Sequence, residues 1–267
     1  MAVASSFDLH GRAAVVTGSS SGIGRAIALR LAQAGANVVV HARRSLDAAE
    51  HVAAEIRGLG AKATVLLADL VETAQQDRLV QQAWDWQGGV DIWVNNAGAD
   101  VLTGEAAKWP FERKLQQLWD VDVVASLRLS RAIGAKMQAR GGAILNIGWD
   151  QAEHGMAGDS GELFATTKGA VMAATKSLAL SLAPAVRVNC VAPGWIQTAW
   201  GDRASDYWQQ RAVNEAALRR WGTPEDIADA ALFLCSPASQ FMTGQVMAVN
   251  GGRADGFSSP PVADKKK

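Results

Sequence analysis

Short β-branched runs alternate with amphipathic stretches along almost the whole chain. AAVVT (13–17), NVVVH (37–41), ATVLLAD (63–69), DIWVNNAG (91–98), GAILNIG (142–148), VRVNCVAPG (186–194) and VMAVNGG (246–252) read as strands. They are continuous Val/Ile/Leu runs rather than alternating ones, the signature of strands buried on both faces. Helical patterns fall between them, at 23–35, 46–60, 72–88 and 162–183, with one long run at 111–139. Strand–helix alternation with short connectors demands right-handed crossovers and a parallel sheet. The pattern predicts a three-layer, doubly wound α/β fold of the Rossmann type with about seven strands. No linker divides the chain, so residues 1–267 form a single domain. Two stretches break the rhythm: 195–222, where Trp195, Trp200, Trp208 and Trp221 suggest a lid beside a substrate, and a Pro/Ser/Lys-rich tail over 253–267 expected to fray.

Composition narrows the setting. With 26 basic and 26 acidic side chains the formal charge is zero, which gives no field to hold nucleic acid or an anionic membrane. Cys190 and Cys235 are too few for a disulfide scaffold and lack metal-ligand spacing; no metal is expected, and a reducing, cytoplasmic setting suits them. No apolar run reaches the length of a membrane span, and the first ten residues lack the pattern of a signal peptide. There are 10 tryptophans against one tyrosine, Tyr207.

The first chemical signal is TGSSSGIG (17–24), which opens directly into a helix. Gly18, Gly22 and Gly24 allow a tight turn and a close backbone approach, and the helix start offers unpaired N–H groups to a phosphate through Ser20, Ser21, Gly22 and Ile23. The spacing is G-x-x-x-G-x-G, not the dinucleotide fingerprint G-x-G-x-x-G, but its place after the first strand of a doubly wound sheet is where such ligands bind. The second strand ends in His41, Ala42, Arg43, Arg44 and Ser45. An acidic residue here would take a free ribose 2′-hydroxyl, whereas arginine accommodates a 2′-phosphate. The expected cofactor is therefore NADP rather than NAD.

These motifs, in this order over about residues 7–252, resemble the short-chain dehydrogenase/reductase family. TGSSSGIG matches its glycine motif and NNAG (95–98) its loop after strand four, which adds Asn96, Ala97 and Gly98 to the cofactor site. Asp69-Leu70 matches the acidic turn that meets adenine. RVNCVAPGWIQT (187–198) matches the sixth-strand segment, whose Pro193, Gly194 and Ile196 would border the nicotinamide, and 221–252 resembles the family's C-terminal segment. The resemblance implies an oxidoreductase acting on a small molecule and a homo-oligomer, a dimer or tetramer, built through the helices after strands four and five.

The catalytic positions depart from that pattern. The family's Y-x-x-x-K pair has a tyrosine acid/base and a lysine that binds the ribose and lowers the tyrosine pKa; here it is Phe164-Ala-Thr-Thr-Lys168. Four-residue spacing still places the two side chains on one helical face. Counting back from Phe164 puts the family's serine at Gln151, whereas aligning strand ends puts it at Trp149, and neither is a hydroxyl. The family's asparagine on the fourth helix becomes Asp122, a candidate for the site or for pairing with Lys168. Asp150 and His154, in the loop after strand five, are candidate replacement acids, with Tyr207 a remoter one. Pteridine reductases show a similar aspartate and a similar basic cluster after strand two, but they keep the tyrosine. Trp149, Trp195 and Trp200 could wall a flat aromatic slot for substrate; Trp84, Trp86 and Trp93 read as packing. General acid–base groups contribute about 10²–10⁴-fold, so losing the phenol need not abolish turnover. The expectation is an NADP-dependent oxidoreductase with an atypical site, acting on a carbonyl, C=N or C=C group; the alternative is a non-catalytic NADP-binding sensor or an inactive partner subunit.

Overall fold

The computed structural model describes residues 6–253; the tail expected beyond Arg253 lies outside them. Seven strands form one parallel sheet: β1 (Ala13–Val16), β2 (Asn37–Ala42), β3 (Ala63–Leu67), β4 (Ile92–Asn95), β5 (Gly142–Ile147), β6 (Val186–Pro193) and β7 (Val246–Val249). Their order is β3-β2-β1-β4-β5-β6-β7. Successive strands step outward from β1 to β3, then the chain crosses back to β4 and steps the other way. This reversal opens a crevice above β1 and β4, where doubly wound sheets bind ligands.

Helices α1 (Gly22–Gln33), α2 (Leu46–Gly58) and α9 (Pro224–Cys235) cover one face of the sheet; α3 (Thr73–Trp86), α5 (Ala125–Met137) and α7 (Asp159–Leu182) cover the other. Neighbouring strand residues feed opposite cores. Val16, Val40 and Val94 pack with Ile27, Leu31 and Ile56, while Val15, Val39 and Trp93 pack with Leu79, Leu129 and Ile133. Both faces are dry, which is why the runs do not alternate. Each such side chain contributes about 1.5–3 kcal/mol on burial.

Three local features set up the site. The run 111–139 is α4 (Phe111–Leu118) joined to α5 by a π-helical turn, Trp119–Val124, whose wider winding is common where a helix presents a functional side chain; it carries Asp122. Helix α7 starts at Asp159, earlier than the apolar pattern suggests, so Ser160 joins Phe164 and Lys168 on one face. Between β6 and α9, the stretch expected as a lid forms a short 3₁₀ turn (Gly201–Arg203) and α8 (Asp206–Glu215). A buried polar network fixes the mouth of the sheet: Asn95 donates to Asn146 Oδ1 and Ser130 Oγ, each at 2.8 Å, and Asn146 donates to Thr175 Oγ1 at 2.9 Å. Interior polar groups that are fully paired in this way hold one arrangement.

Candidate active site

A polar cavity of about 780 Å³ lies over the C-terminal ends of β1, β2 and β3. Its floor is the glycine turn. Gly18 has φ +63°, and a Cβ there would meet Ala97 Cα at 2.8 Å; one on Gly24 would strike the Gly18 carbonyl oxygen and the Asn96 amide. The loop after β4 is stitched to this turn: Thr17 Oγ1 accepts from the N–H groups of Asn96 and Ala97, both at 3.0 Å, and the Asn96 side chain donates to Thr17 O at 2.9 Å. His41, only 2% exposed, braces the turn from beneath. Its Nδ1 accepts from Gly18 N–H at 3.0 Å, which fixes the neutral tautomer in which Nε2–H donates to Ala68 O at 3.1 Å. Burial pushes the imidazole down to about 4. Arg43 and Arg44 line the open side with Ser20, Ser21 and Ser45, and Arg44 stands 3.9 Å from the Asp69 carboxylate. Leu70 and Gly98 complete the parts of the wall expected from the sequence.

A second, apolar cavity of about 350 Å³ adjoins the first, and Asn96 lines both. One wall carries Ile23, Pro193, Gly194, Ile196 and Thr198, the opposite wall Trp149, Ser160, Phe164 and Lys168. The Trp149 and Phe164 rings meet edge to face, 6.3 Å between centroids at 73°. Lys168 Nζ is 2.9 Å from Asp122 Oδ2 and donates to Ile147 O at 3.3 Å; Asp122 is 1% exposed, and its Oδ1 accepts from Ala99 N–H at 2.9 Å. The lid tryptophans close the far end as a cluster. Trp195 stacks on Trp200 at 6.4 Å and tilts against Trp208 at 5.4 Å, and its Nε1 donates to Glu215 at 2.7 Å.

The family model for enoyl-(acyl carrier protein) reductase matches residues 18–254. A 7α-hydroxysteroid dehydrogenase of Escherichia coli (strain K12) is 36% identical over 250 residues, which covers 91% of this chain and 94% of that protein. Member 4 of the dehydrogenase/reductase SDR family from Sus scrofa is 34% identical over 92% of this chain and 88% of its own length. This chain is a short-chain dehydrogenase/reductase. Among solved relatives, a 7α-hydroxysteroid dehydrogenase complexed with NADH and 7-oxo glycochenodeoxycholic acid superposes with a TM-score of 0.86 at 34% identity, covering 95% of this chain and 98% of that one. A gluconate 5-dehydrogenase from Burkholderia cenocepacia, in complex with NADP and tartrate, gives 0.83 at 32% identity over 93% and 97%.

The structure brings Trp149, Phe164 and Lys168 of this short-chain dehydrogenase/reductase into one cavity. Trp149, not Gln151, faces Phe164; Gln151 is buried elsewhere and donates to Glu215 at 3.3 Å. Asp150 does not meet Phe164 and Lys168 in the cavity. It is 5% exposed, and its Oδ2 accepts from Asn250 at 3.0 Å while burial raises its pKa. His154 is exposed on α6 (Gln151–His154), outside the lining, and Tyr207 is 63% exposed against Trp208. Trp195 and Trp200 do line the cavity, while Trp93 is core and Trp84 and Trp86 pack against it. Trp208 and Trp221, expected in a lid beside the substrate, line the cavity too, as do Ser160, Thr198, Leu102 and Met156, which the sequence does not mark as site residues. Ser160 lies one turn before Phe164, so extending the helical stripe backwards would have found it. Among the described residues no cluster of three or more His, Cys, Asp or Glu side chains is placed to hold a metal, and no helix is long and apolar enough to cross a membrane.

Proposed function

We propose that this chain is an NADP-dependent oxidoreductase acting on a small molecule, with a proton economy that does not use a phenol. The observation that carries the reading is the meeting, at Asn96, of a cavity of about 780 Å³ lined by the glycine turn and the arginine pair and an apolar cavity that holds the lysine. A dinucleotide fits the residues present. The tight turn that glycine allows at Gly18 and Gly24 lets a pyrophosphate approach the start of α1, whose first N–H groups face no side-chain cap. Asp69 and Leu70 would border the adenine, Arg43 and Arg44 a 2′-phosphate, and Lys168 the nicotinamide ribose, with Pro193, Gly194 and Ile196 beside the nicotinamide. When bound, the cofactor supplies hydride transfer, chemistry that belongs to the nicotinamide. The protein's share is to orient the substrate between Trp149, Phe164 and the lid tryptophans and to keep water out.

Relatives in complex with NADH and with NADP both share this fold closely, so the choice between them rests on the arginines. Titrating NADPH and NADH into the protein, with tryptophan fluorescence as readout, should favour NADPH. Exchanging Arg43 and Arg44 for alanine should weaken NADPH roughly ten- to hundredfold, the size of lost charge-assisted bonds, and leave NADH little changed. Equal loss for both cofactors defeats the assignment. Binding of NADPH with no oxidation by ketones, pterins, quinones or imines would leave a binding protein rather than an enzyme. We further propose a homo-oligomer: Leu127 on α5 and Leu180 on α7 stand exposed on the helices that would form its interface, and sedimentation would show it. The two thiols, Cys190 and Cys235, are free and buried, in keeping with a cytoplasmic protein.

A further inference from the structure

The apolar cavity is a poor place to create charge. Reduction of a neutral carbonyl leaves negative charge on the substrate oxygen unless a proton arrives with the hydride. Lys168 is the one titratable group in the lining, and its ammonium is already engaged by Asp122 and Ile147 O. The hydroxyls present, on Ser160 and Thr198, can donate a hydrogen bond but do not titrate near neutral pH. Where a phenol and a serine would serve a carbonyl oxygen, the Phe164 and Trp149 rings meet each other.

A substrate that already carries positive charge removes the difficulty. An iminium carbon accepts two electrons with the hydride, the C=N π pair becomes the lone pair of nitrogen, and reduced nicotinamide is the sole reductant, left as its cation. Atoms and electrons balance without a proton. The positive charge passes from one ring system to another and none is newly created, so a low-dielectric site exacts no charging penalty.

The walls suit such a ligand. Six aromatic side chains line the cavity: Trp149, Phe164, Trp195, Trp200, Trp208 and Trp221. Tryptophan faces attract cations most strongly, and more so when water is excluded. Two of these rings already hold one: the Arg211 guanidinium lies 5.6 Å from the Trp195 centroid and 5.1 Å from that of Trp208. Its charge is matched by Glu215 at 2.6 Å, as that of Lys168 is by Asp122 at 2.9 Å. Both of these cations are therefore paired, which limits their repulsion of a third. A volume of about 350 Å³ sits at the small end of ligand sites, roughly 300–1,000 Å³, and the nicotinamide takes part of it. A compact ring system remains.

We propose that the substrate is a flat, apolar iminium cation, or in the reverse direction the cyclic amine that yields it. This rests on the oxidoreductase reading above, and the test separates the two. In a binding arm, tryptophan quenching is followed as the NADPH-loaded protein is titrated with N,N-dimethyl tetrahydroisoquinolinium, a cation that cannot be reduced, and with its neutral carbon isostere, dimethyltetralin. The cation should bind about tenfold tighter, ~1.4 kcal/mol, within the range for a desolvated cation on aromatic faces. In a turnover arm, N-methyl dihydroisoquinolinium should oxidise NADPH and take deuterium from labelled cofactor, while the bicyclic ketone tetralone reacts at least a hundredfold more slowly. Equal or tighter binding of the neutral isostere overturns the proposal, as does comparable reduction of tetralone. Failure of the iminium to oxidise bound NADPH overturns it even if the cation binds. Failure of NADPH itself to bind removes the oxidoreductase reading instead, a result that the cofactor titration reports on its own.

Discussion

Acidification from about pH 7 to about pH 5 should cost the fold about 2 kcal/mol through His41 alone. The imidazole is buried, accepts the Gly18 N–H on Nδ1 and donates from Nε2 to Ala68 O, so the folded protein has no place for a second ring proton. Burial lowers its pKa from 6.5 to about 4. Because the unfolded chain binds the proton first, the stabilisation is intact above pH 6.5 and is lost as the pH falls through the folded value. The full shift is worth about 3 kcal/mol, of which about 2 kcal/mol falls between these two pH values. Asp150 works the other way, since burial raises its pKa and acid therefore relieves a cost. Asp226, lowered to about 2 chiefly by the hydrogen bond from Arg220, loses its contribution only below this window. The measurement is urea unfolding at both pH values for the parent and for His41→Asn, which keeps an acceptor near Nδ1 but does not titrate. The variant should start lower, with Ala68 O left without its donor, and should show a pH dependence flatter by about 2 kcal/mol. Parallel pH profiles for the two proteins would refute the reasoning. NADPH affinity should hold over this range and fall only as the pH nears about 4, where the folded imidazole takes up its proton and Nδ1 can no longer accept from Gly18.

Asp122→Ala should destabilise the protein by about 3 kcal/mol, the low end for breaking a buried pair because Lys168 keeps some access to water; Asp122→Asn should cost less, since it still accepts from Ala99 N–H, and equal stability of all three in thermal melts would rule out the pairing argument. Gly24→Ala should abolish NADPH binding while leaving a folded protein by circular dichroism, because the new methyl collides with the Gly18 carbonyl in the turn itself. The joint change Phe164→Tyr with Trp149→Ser should raise reduction of a simple ketone by about 10²-fold or more, the worth of a positioned acid; a steady-state assay showing no gain would mean that the corner cannot host that chemistry.

The sheet and the phosphate turn were legible because local rules govern them. Strands dry on both faces show as unbroken Val/Ile runs, and a turn that bars Cβ atoms shows as Gly18, Gly22 and Gly24. The Phe164–Lys168 spacing was legible for the same reason, as was the prospect of a Lys168–Asp122 pair. What escaped depends on partners far away in the chain. Asp150 stands at the expected place after β5, but its direction is set by Asn250, a hundred residues on. His41 lines the expected cavity, but its role as a brace is not legible locally, because its hydrogen bonds run to Gly18 and Ala68 on two other strand ends. Ser160 was missed because α7 was started at its first apolar turn, although Gly158 and Asp159 mark an earlier beginning. Helix α9 does not stand out from the apolar pattern, although Thr223-Pro-Glu-Asp226 spells a capping box, with both reciprocal bonds formed.

The edge-to-face packing of Trp149 on Phe164 also bears on how such a corner can change. A lone tyrosine at 164 would keep an indole for a neighbour in place of a hydroxyl partner, and a lone serine at 149 would leave a hole where that indole stood. Each single step is worse than either end of the path, so the two positions are locked together epistatically. A new chemistry at this corner therefore requires both positions to change in one step, since neither side chain has a good partner after the other alone is replaced.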